Sequence, residues 1–468
     1  MPYLLLSLGV LFALAAANAH APRRGAVLLA PSFFVGWLTI EMAPHVLVTW
    51  AAATALTAAF GGLDGWAGWT GLVLAVLGMA GVAATLVATR RTVVTLRDSG
   101  VPLDLDPEDA PRYPRAHLFV PQLCLIPRKG VRVERNIVFH EGGTSFHEGG
   151  TSFHEGGTSP HEEGRLRLKL DVFRTAGGRS GGELRPGLMQ IHGGAWVIGD
   201  KREQGLPLLN HMAVQGWVGF NVNYRLSPRA TWPEHLIDLK HFVAWYKEHA
   251  EEYGADPDFL CVTGGSAGGH LTAMVALTAN VPEFQPGFED ADTSVQGAVP
   301  FYGVYNLFEA GPWPVPMGAT RLMERMVVKK PFAENHEAYA KASPVTYLRE
   351  DAPPFFVIHG DRDSLIPVAE ARRFVERLRD VSGAPVVYAE MKGAQHAFDV
   401  FPSYRTARVI EGVERYLTGL HRQYREGAAP AVPGEVAQSL DPAPARTAPG
   451  VRPSDSVEGC GSQFSGIG

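Results

Sequence analysis

Three residues in a fixed chain order, Ser266, Asp363 and His396, are of the types that could together attack a carbonyl carbon. A serine hydroxyl becomes a nucleophile when a neighbouring base takes its proton and a carboxylate holds that base in the right tautomer. Ser266 stands in Gly264-Gly265-Ser266-Ala267-Gly268, after the apolar run Phe259-Leu260-Cys261-Val262 and before a helix-forming stretch. Gly264 and Gly268 remove the side chains that would crowd a sharp strand-to-helix turn, so the spacing predicts a nucleophile elbow that lifts the hydroxyl above a sheet. Spacing alone is weak evidence in a chain with 52 glycines. Gly178-Arg179-Ser180-Gly181-Gly182 meets it too, but follows a Gly-rich linker and opens no helix, so Ser180 reads as a loop serine.

Asp363 lies in Gly360-Asp361-Arg362-Asp363, after the apolar run 354–359, and His396 lies in Gly393-Ala394-Gln395-His396, after the run 386–390. Asp361 competes for the acid's role, but it is closer to the strand end, where a carboxylate can simply brace the loop. Of the 17 histidines, His396 is the one in a Gly-flanked loop after the last predicted strand; His359 and His270 read as supporting residues. Ahead of all these comes His192-Gly193-Gly194-Ala195-Trp196, after a strand that starts at Gly187. Backbone without bulky side chains can approach a reacting carbonyl, so the N–H groups of Gly193, Gly194 and Ala195, with that of Ala267, are the candidate oxyanion donors. Which two of the first three donate stays open, and His192 reads as a brace for the loop. Base and electrophilic stabilisation both come from protein groups, so the chemistry calls for no metal and no organic cofactor.

The elements that must hold these residues follow from the period of the sequence. Strand-like runs at 187–192, 217–223, 259–263, 295–302, 354–359 and 386–390 alternate with helical runs at 232–253, 270–277, 368–379 and 404–420. Apolar strands between helices predict a mostly parallel sheet covered on both faces, with ligand chemistry at the carboxyl ends of its strands. Residues 131–139 and 165–173 alternate polar and apolar positions, as edge strands do. The repeat within 140–164 places His140, His147, His154 and His161 at seven-residue intervals. Gly-Gly in the first three periods prevents a helix that would align the imidazoles, so the repeat reads as a long hairpin loop and not as a metal site. Segment 308–343, with Trp313, Met317, Leu322, Met323 and Met326, is a candidate flap over an apolar cleft.

Taken together, the His192, Asn223-Tyr224-Arg225-Leu226-Ser227-Pro228, Ser266, His359-Gly-Asp-Arg-Asp363 and His396 motifs resemble the α/β-hydrolase superfamily. The likeness is to its carboxylesterase and lipase branch, related to hormone-sensitive lipase and to bacterial feruloyl-esterase-like hydrolases, and covers about residues 125–420. It implies hydrolysis of carboxylic esters through an acyl-enzyme, with Ser266 as nucleophile, His396 as base and Asp363 orienting it. Such relatives commonly carry a third glycine where this chain has Ala195, which keeps the N–H but restricts φ.

The first ninety residues have another character. Residues 2–19 are almost entirely apolar, a second span is expected near 42–62 after an interfacial stretch containing Glu41, and a third runs from 67 to 89 and stops at Arg90-Arg91. A crossing needs about 20 apolar residues, so about three transmembrane helices are expected in residues 1–91. Ala17-Asn18-Ala19 could be a signal-peptide cleavage box, but no Lys or Arg precedes Leu4. Arg23, Arg24, Arg90 and Arg91 favour the cytoplasmic side, which puts the amino terminus outside and the catalytic domain inside. Residues 92–130 read as a linker, 131–421 as the catalytic domain and 422–468 as a disordered tail poor in apolar anchors.

A net charge of −6 provides no basic field for nucleic acid. Cys124, Cys261 and Cys460 are odd in number and far apart, so no disulfide framework is expected. The expected substrates are moderately apolar esters, extending to lipid-like ones from the bilayer. An amidase or formamidase-like hydrolase with the same triad is the enzymatic alternative, and an inactive membrane scaffold the non-enzymatic one.

Overall fold

Nine strands build one sheet, in a computed structural model that describes residues 1–23, 28–101, 129–142, 161–162, 165–177, 183–308 and 317–430. In chain order they are β1 (Val131–Gly142), β2 (His161–Glu162), β3 (Arg165–Thr175), β4 (Arg185–Ile191), β5 (Val218–Val222), β6 (Ala255–Gly265), β7 (Gly297–Phe301), β8 (Phe355–Gly360) and β9 (Val386–Met391). The spatial order is β1-β3-β5-β4-β6-β7-β8-β9, with β2 paired to β3. The six strands from β5 to β9 run parallel, while β3 joins β5, and β1 and β2 join β3, in antiparallel fashion. Strands β5, β7 and β8 are buried along their whole length, as expected where helices cover both faces.

The helices are α1 (Pro2–His20), α2 (Leu29–Glu41), α3 (Ala43–Thr57), α4 (Gly65–Asp98), α5 (Leu206–Val214), α6 (Glu234–His249), α7 (Ala267–Leu277), α8 (Met317–Leu322), α9 (His336–Lys341), α10 (Val368–Val381) and α11 (Tyr404–Arg425). One side of the sheet is covered by α6, α7 and α10 through residues such as Phe242, Met274 and Phe374. On the other side α5 and α11 pack with Leu209, Met212, Val413 and Leu417. The described part of the candidate flap contributes to the first layer, where Met323, Val327 and Tyr339 are buried; Trp313 lies outside the described residues, as do Ser180 and most of the His/Glu/Gly repeat.

Three amino-terminal helices are long and apolar enough to cross a membrane: Pro2–His20, Ala43–Gly62 and Gly65–Asp98. Their outward side chains, among them Leu11, Leu14, Val48, Leu56 and Leu77, are exposed and apolar, which is the surface a bilayer accepts. Small residues bring α1 and α4 into backbone contact: a Cβ at Gly71 would meet the Leu5 backbone at 2.5 Å, and one at Gly78 the Phe12 backbone at 2.7 Å. These contacts advance together along both chains, so α1 and α4 run parallel.

Two sequence expectations need correction here. Helix α4 does not stop at Arg90-Arg91 but continues to Asp98, because arginine is a good helix former and leaving a membrane does not end a helix. Its last turns enter the core on the α5 and α11 side of the sheet, where Leu96 is fully buried and lies against Gly412 of α11, so the expected linker begins as helix. The stretch before the second span is not merely interfacial either: α2 docks on the segment between β9 and α11, and Glu41 is buried in an ion pair with Arg405 of α11 at 2.6 Å.

Candidate active site

The turn from β6 into α7 carries Ser266 at φ 59° and ψ −120°, outside the broad regions open to L-residues. Close packing enforces the turn. A Cβ at Gly264 would lie 2.5 Å from the Ile191 carbonyl oxygen, and one at Gly268 only 2.2 Å from the same oxygen. The Ser266 N–H donates to the Phe301 carbonyl at 3.0 Å, which ties the elbow to β7. Strain of this kind persists only where the surroundings over-determine it.

Loops after β8 and β9 bring the other two residues to this point. His396 Nε2 lies 2.8 Å from Ser266 Oγ, and His396 Nδ1 lies 2.7 Å from Asp363 Oδ2. Asp363 is fully buried, and its Oδ1 accepts the N–H groups of Leu365 and Ile366, each at 2.8 Å. Burial alone would push its carboxyl up, but His396 and His359 more than offset that and hold it well below the usual carboxylate range. Asp361 is used differently: its Oδ1 accepts the Gly393 N–H at 2.7 Å and so braces the histidine loop.

The oxyanion side departs from the sequence expectation at one residue. Gly193 was a candidate donor, but its N–H donates to Gln204 Oε1 at 2.7 Å, which commits it elsewhere. That leaves the N–H groups of Gly194, Ala195 and Ala267. Gly194 has φ 121°, and a Cβ there would clash with the Ile198 carbonyl oxygen at 2.0 Å; Ala195 adopts φ 53° despite its side chain. Both belong to a tight turn in which Val197 and Ile198 donate to the Gly194 carbonyl, each at 3.0 Å. His192 stacks on Tyr224 with centroids 4.5 Å apart, and the Tyr224 hydroxyl donates to the His192 carbonyl at 3.0 Å. Burial lowers the pKa of His192, so a neutral ring stands there as a spacer.

Several residues around the site were missed from sequence. Gln395 Oε1 accepts from the N–H groups of Ser364 at 2.7 Å and His396 at 2.9 Å, so one amide joins the acid loop to the base loop. Its position beside His396 was the available signal. Tyr302 sits with its ring 4.5 Å from that of His396, and its hydroxyl bonds Asp399. Burial raises the Asp399 carboxyl, the Tyr302 bond only partly opposing it. Neither residue belongs to a motif, because their roles depend on contact across the sheet. His359 adds a second imidazole 3.2 Å from Asp363 Oδ2, consistent with a support. His270 bonds the Ala342 carbonyl at 2.8 Å and is pushed down to about 4 by burial, so it is neutral and structural.

Chemically, the constellation can move a proton from a serine hydroxyl to an imidazole and present N–H groups to a developing oxyanion. A family model described as BD-FAE matches residues 170–378, which contain Ser266 and Asp363 but not His396. The probable carboxylic ester hydrolase LipM of Mycobacterium tuberculosis is 54% identical over 245 residues, 52% of this chain and 57% of that protein. Esterase LipQ of the same organism is 43% identical over 274 residues, covering 58% and 63% of the two chains. Esterase LipC, also from that organism, is 42% identical over 238 residues, covering 51% and 59%. In each case the match spans less than two thirds of the relative's own length.

Proposed function

We propose, from the premise that this chain belongs to the α/β-hydrolase superfamily on its esterase and lipase side, that it is a membrane-anchored serine hydrolase of carboxylic esters. The observation that carries this reading is the relay from Ser266 Oγ through His396 to Asp363, at 2.8 and 2.7 Å. Ser266 attacks the ester carbonyl as His396 Nε2 takes its proton, and the N–H groups of Gly194, Ala195 and Ala267 receive the oxyanion. The same imidazole then protonates the departing alcohol. Water, deprotonated by His396, attacks the acyl-enzyme and releases the acid, restoring Ser266. Asp363 holds the imidazolium and its tautomer throughout.

The proposed substrates are moderately apolar esters, reached from the bilayer beside which the site is anchored. Support comes from the exposed apolar faces of the three candidate spans. The purified protein should cleave p-nitrophenyl esters of medium chain length best and the matching anilides far more slowly. A maximum at acetate with sharp loss by octanoate would sink the lipid-like substrate, and faster anilide cleavage would replace the esterase reading with the amidase one.

The proposed division of the chain is a membrane region (1–91), a connection (92–130) that begins as the last turns of α4, a catalytic domain (131–421) and a tail (422–468) that begins as the last turn of α11. The proposed location of the catalytic domain is the cytoplasm. Support for this side comes from Arg23, just past the end of α1, from Arg90 and Arg91, which follow the apolar part of α4 within the helix, and from the preference of such residues for the cytoplasmic face. Digestion of that domain by protease added to intact cells would reverse the assignment.

A further inference from the structure

The geometry points to α2 as a positioning element of the active site, a helix of the membrane region that holds the loops carrying His396 and Asp363. The inference rests on the esterase reading and extends it to residues outside the hydrolase fold. At 13 residues α2 is too short to span a bilayer. Phe34, Val35 and Leu38 on one side are exposed, while Ser32, Phe33, Gly36 and Ile40 on the other are buried.

The buried side meets the histidine loop. Trp37 Nε1–H donates to the carbonyl of Ala397 at 2.8 Å, one residue past His396. Ala397 has φ 58°, a left-handed conformation that a residue with a side chain keeps only when its neighbours hold it. The Trp37 ring also lies 4.4 Å from that of Phe401, and the Phe33 ring stands edge-on to the His396 imidazole with centroids 6.1 Å apart. Glu41 closes the contact by pairing with Arg405 at 2.6 Å, both side chains fully buried.

The acid loop is gripped from the same region. Arg362, next to Asp363, donates to the Ala19 carbonyl at 3.1 Å and lies 3.0 Å from His20 Nδ1. The sheet fixes where β8 and β9 end, but loops beyond the strands take their shape from what they touch. Here they touch α2 and the end of α1. Turnover therefore depends on the amino-terminal region through the aim of His396 at Ser266, and not only through location.

Full-length protein in detergent or lipid vesicles tests this. Trp37→Phe keeps an aromatic ring against Phe401 and removes only the N–H donor. The expected result is a fall in kcat of about 10-fold with KM within about twofold, since small misplacement of a reacting group costs rate more than binding. Fluorophosphonate labelling of Ser266 should slow by the same factor at an unchanged thermal midpoint. Glu41→Met and Arg405→Met should each lower kcat, and the double variant should recover most of it, because pairing loss leaves a buried charge that joint replacement removes. Leu38→Ala, on the exposed side, should match wild type. An active wild type whose Trp37→Phe variant keeps its kcat, or changes KM alone, overturns the inference and leaves the esterase reading standing. A kcat loss explained wholly by a lower folded fraction, or not recovered in the double variant, also overturns it. Wild type inert towards esters and the probe overturns both.

Discussion

Ser266→Ala is expected to lower kcat for ester hydrolysis by about 10⁶-fold and to abolish labelling by a fluorophosphonate probe. The variant keeps the elbow's glycines and the full oxyanion side but removes the atom 2.8 Å from His396 Nε2. Alanine is smaller than serine and the position is half-buried, so the fold should keep its thermal midpoint. Residual hydrolysis of about 10³- to 10⁴-fold over water would remain, the contribution of binding and of the proposed donors Gly194, Ala195 and Ala267. Equal labelling of variant and wild type, read by gel fluorescence, would move the nucleophile elsewhere.

Asp363→Asn should cost about 10⁴-fold in kcat, while Asp361→Asn should cost less than about 10-fold. Asparagine preserves the shape at 363 but presents an N–H₂ or a neutral oxygen to His396 Nδ1, so the imidazole no longer keeps the tautomer that leaves Nε2 free to accept from Ser266. At 361 the carboxylate accepts one backbone N–H from Gly393, and an amide oxygen can do the same. The two carboxylates compete on sequence, so reversed effects on kcat would exchange their assigned roles. Stability should follow the same distinction. Asp363 has a depressed folded pKa, so its favourable contribution is fully present above about pH 4 and is lost as pH falls through the folded value. The thermal midpoint of Asp363→Asn should therefore fall less steeply in acid than that of wild type.

The periodic core was readable because its signals are local. Runs such as 259–263 and 386–390 are short, apolar and bounded by turns, and each became a strand of the parallel sheet. Gly264 and Gly268 were legible for the same reason: a turn that tight leaves no room for a side chain, and composition shows it. The commitment of the Gly193 N–H to Gln204 was not, since it joins residues eleven apart through a loop with no period. Glu41 is the clearest case of a local signal misread. It interrupts an apolar stretch and so blurs a span boundary, and only Arg405, 364 residues away, explains the charge. Helix α5 was overlooked because Leu206–Val214 is buried on nearly every side, Asn210 and His211 included, and gives no amphipathic rhythm.

With Arg90-Arg91 at the membrane surface, as in the proposed topology, the unbroken run of α4 from Gly65 to Asp98 would fix how high the proposed site stands. Seven residues separate Arg91 from Asp98, a rise of about 10 Å, and that stub packs Leu96 into the core beside α11. A helix anchored at both ends behaves as a rigid post and not as a tether. In that topology Ser266 would sample a thin layer of fixed altitude over the membrane instead of a hemisphere of solution. For the proposed ester substrates, encounter would then become a problem in two dimensions, in which those confined to that layer are met by lateral diffusion and dissolved ones must come to the post.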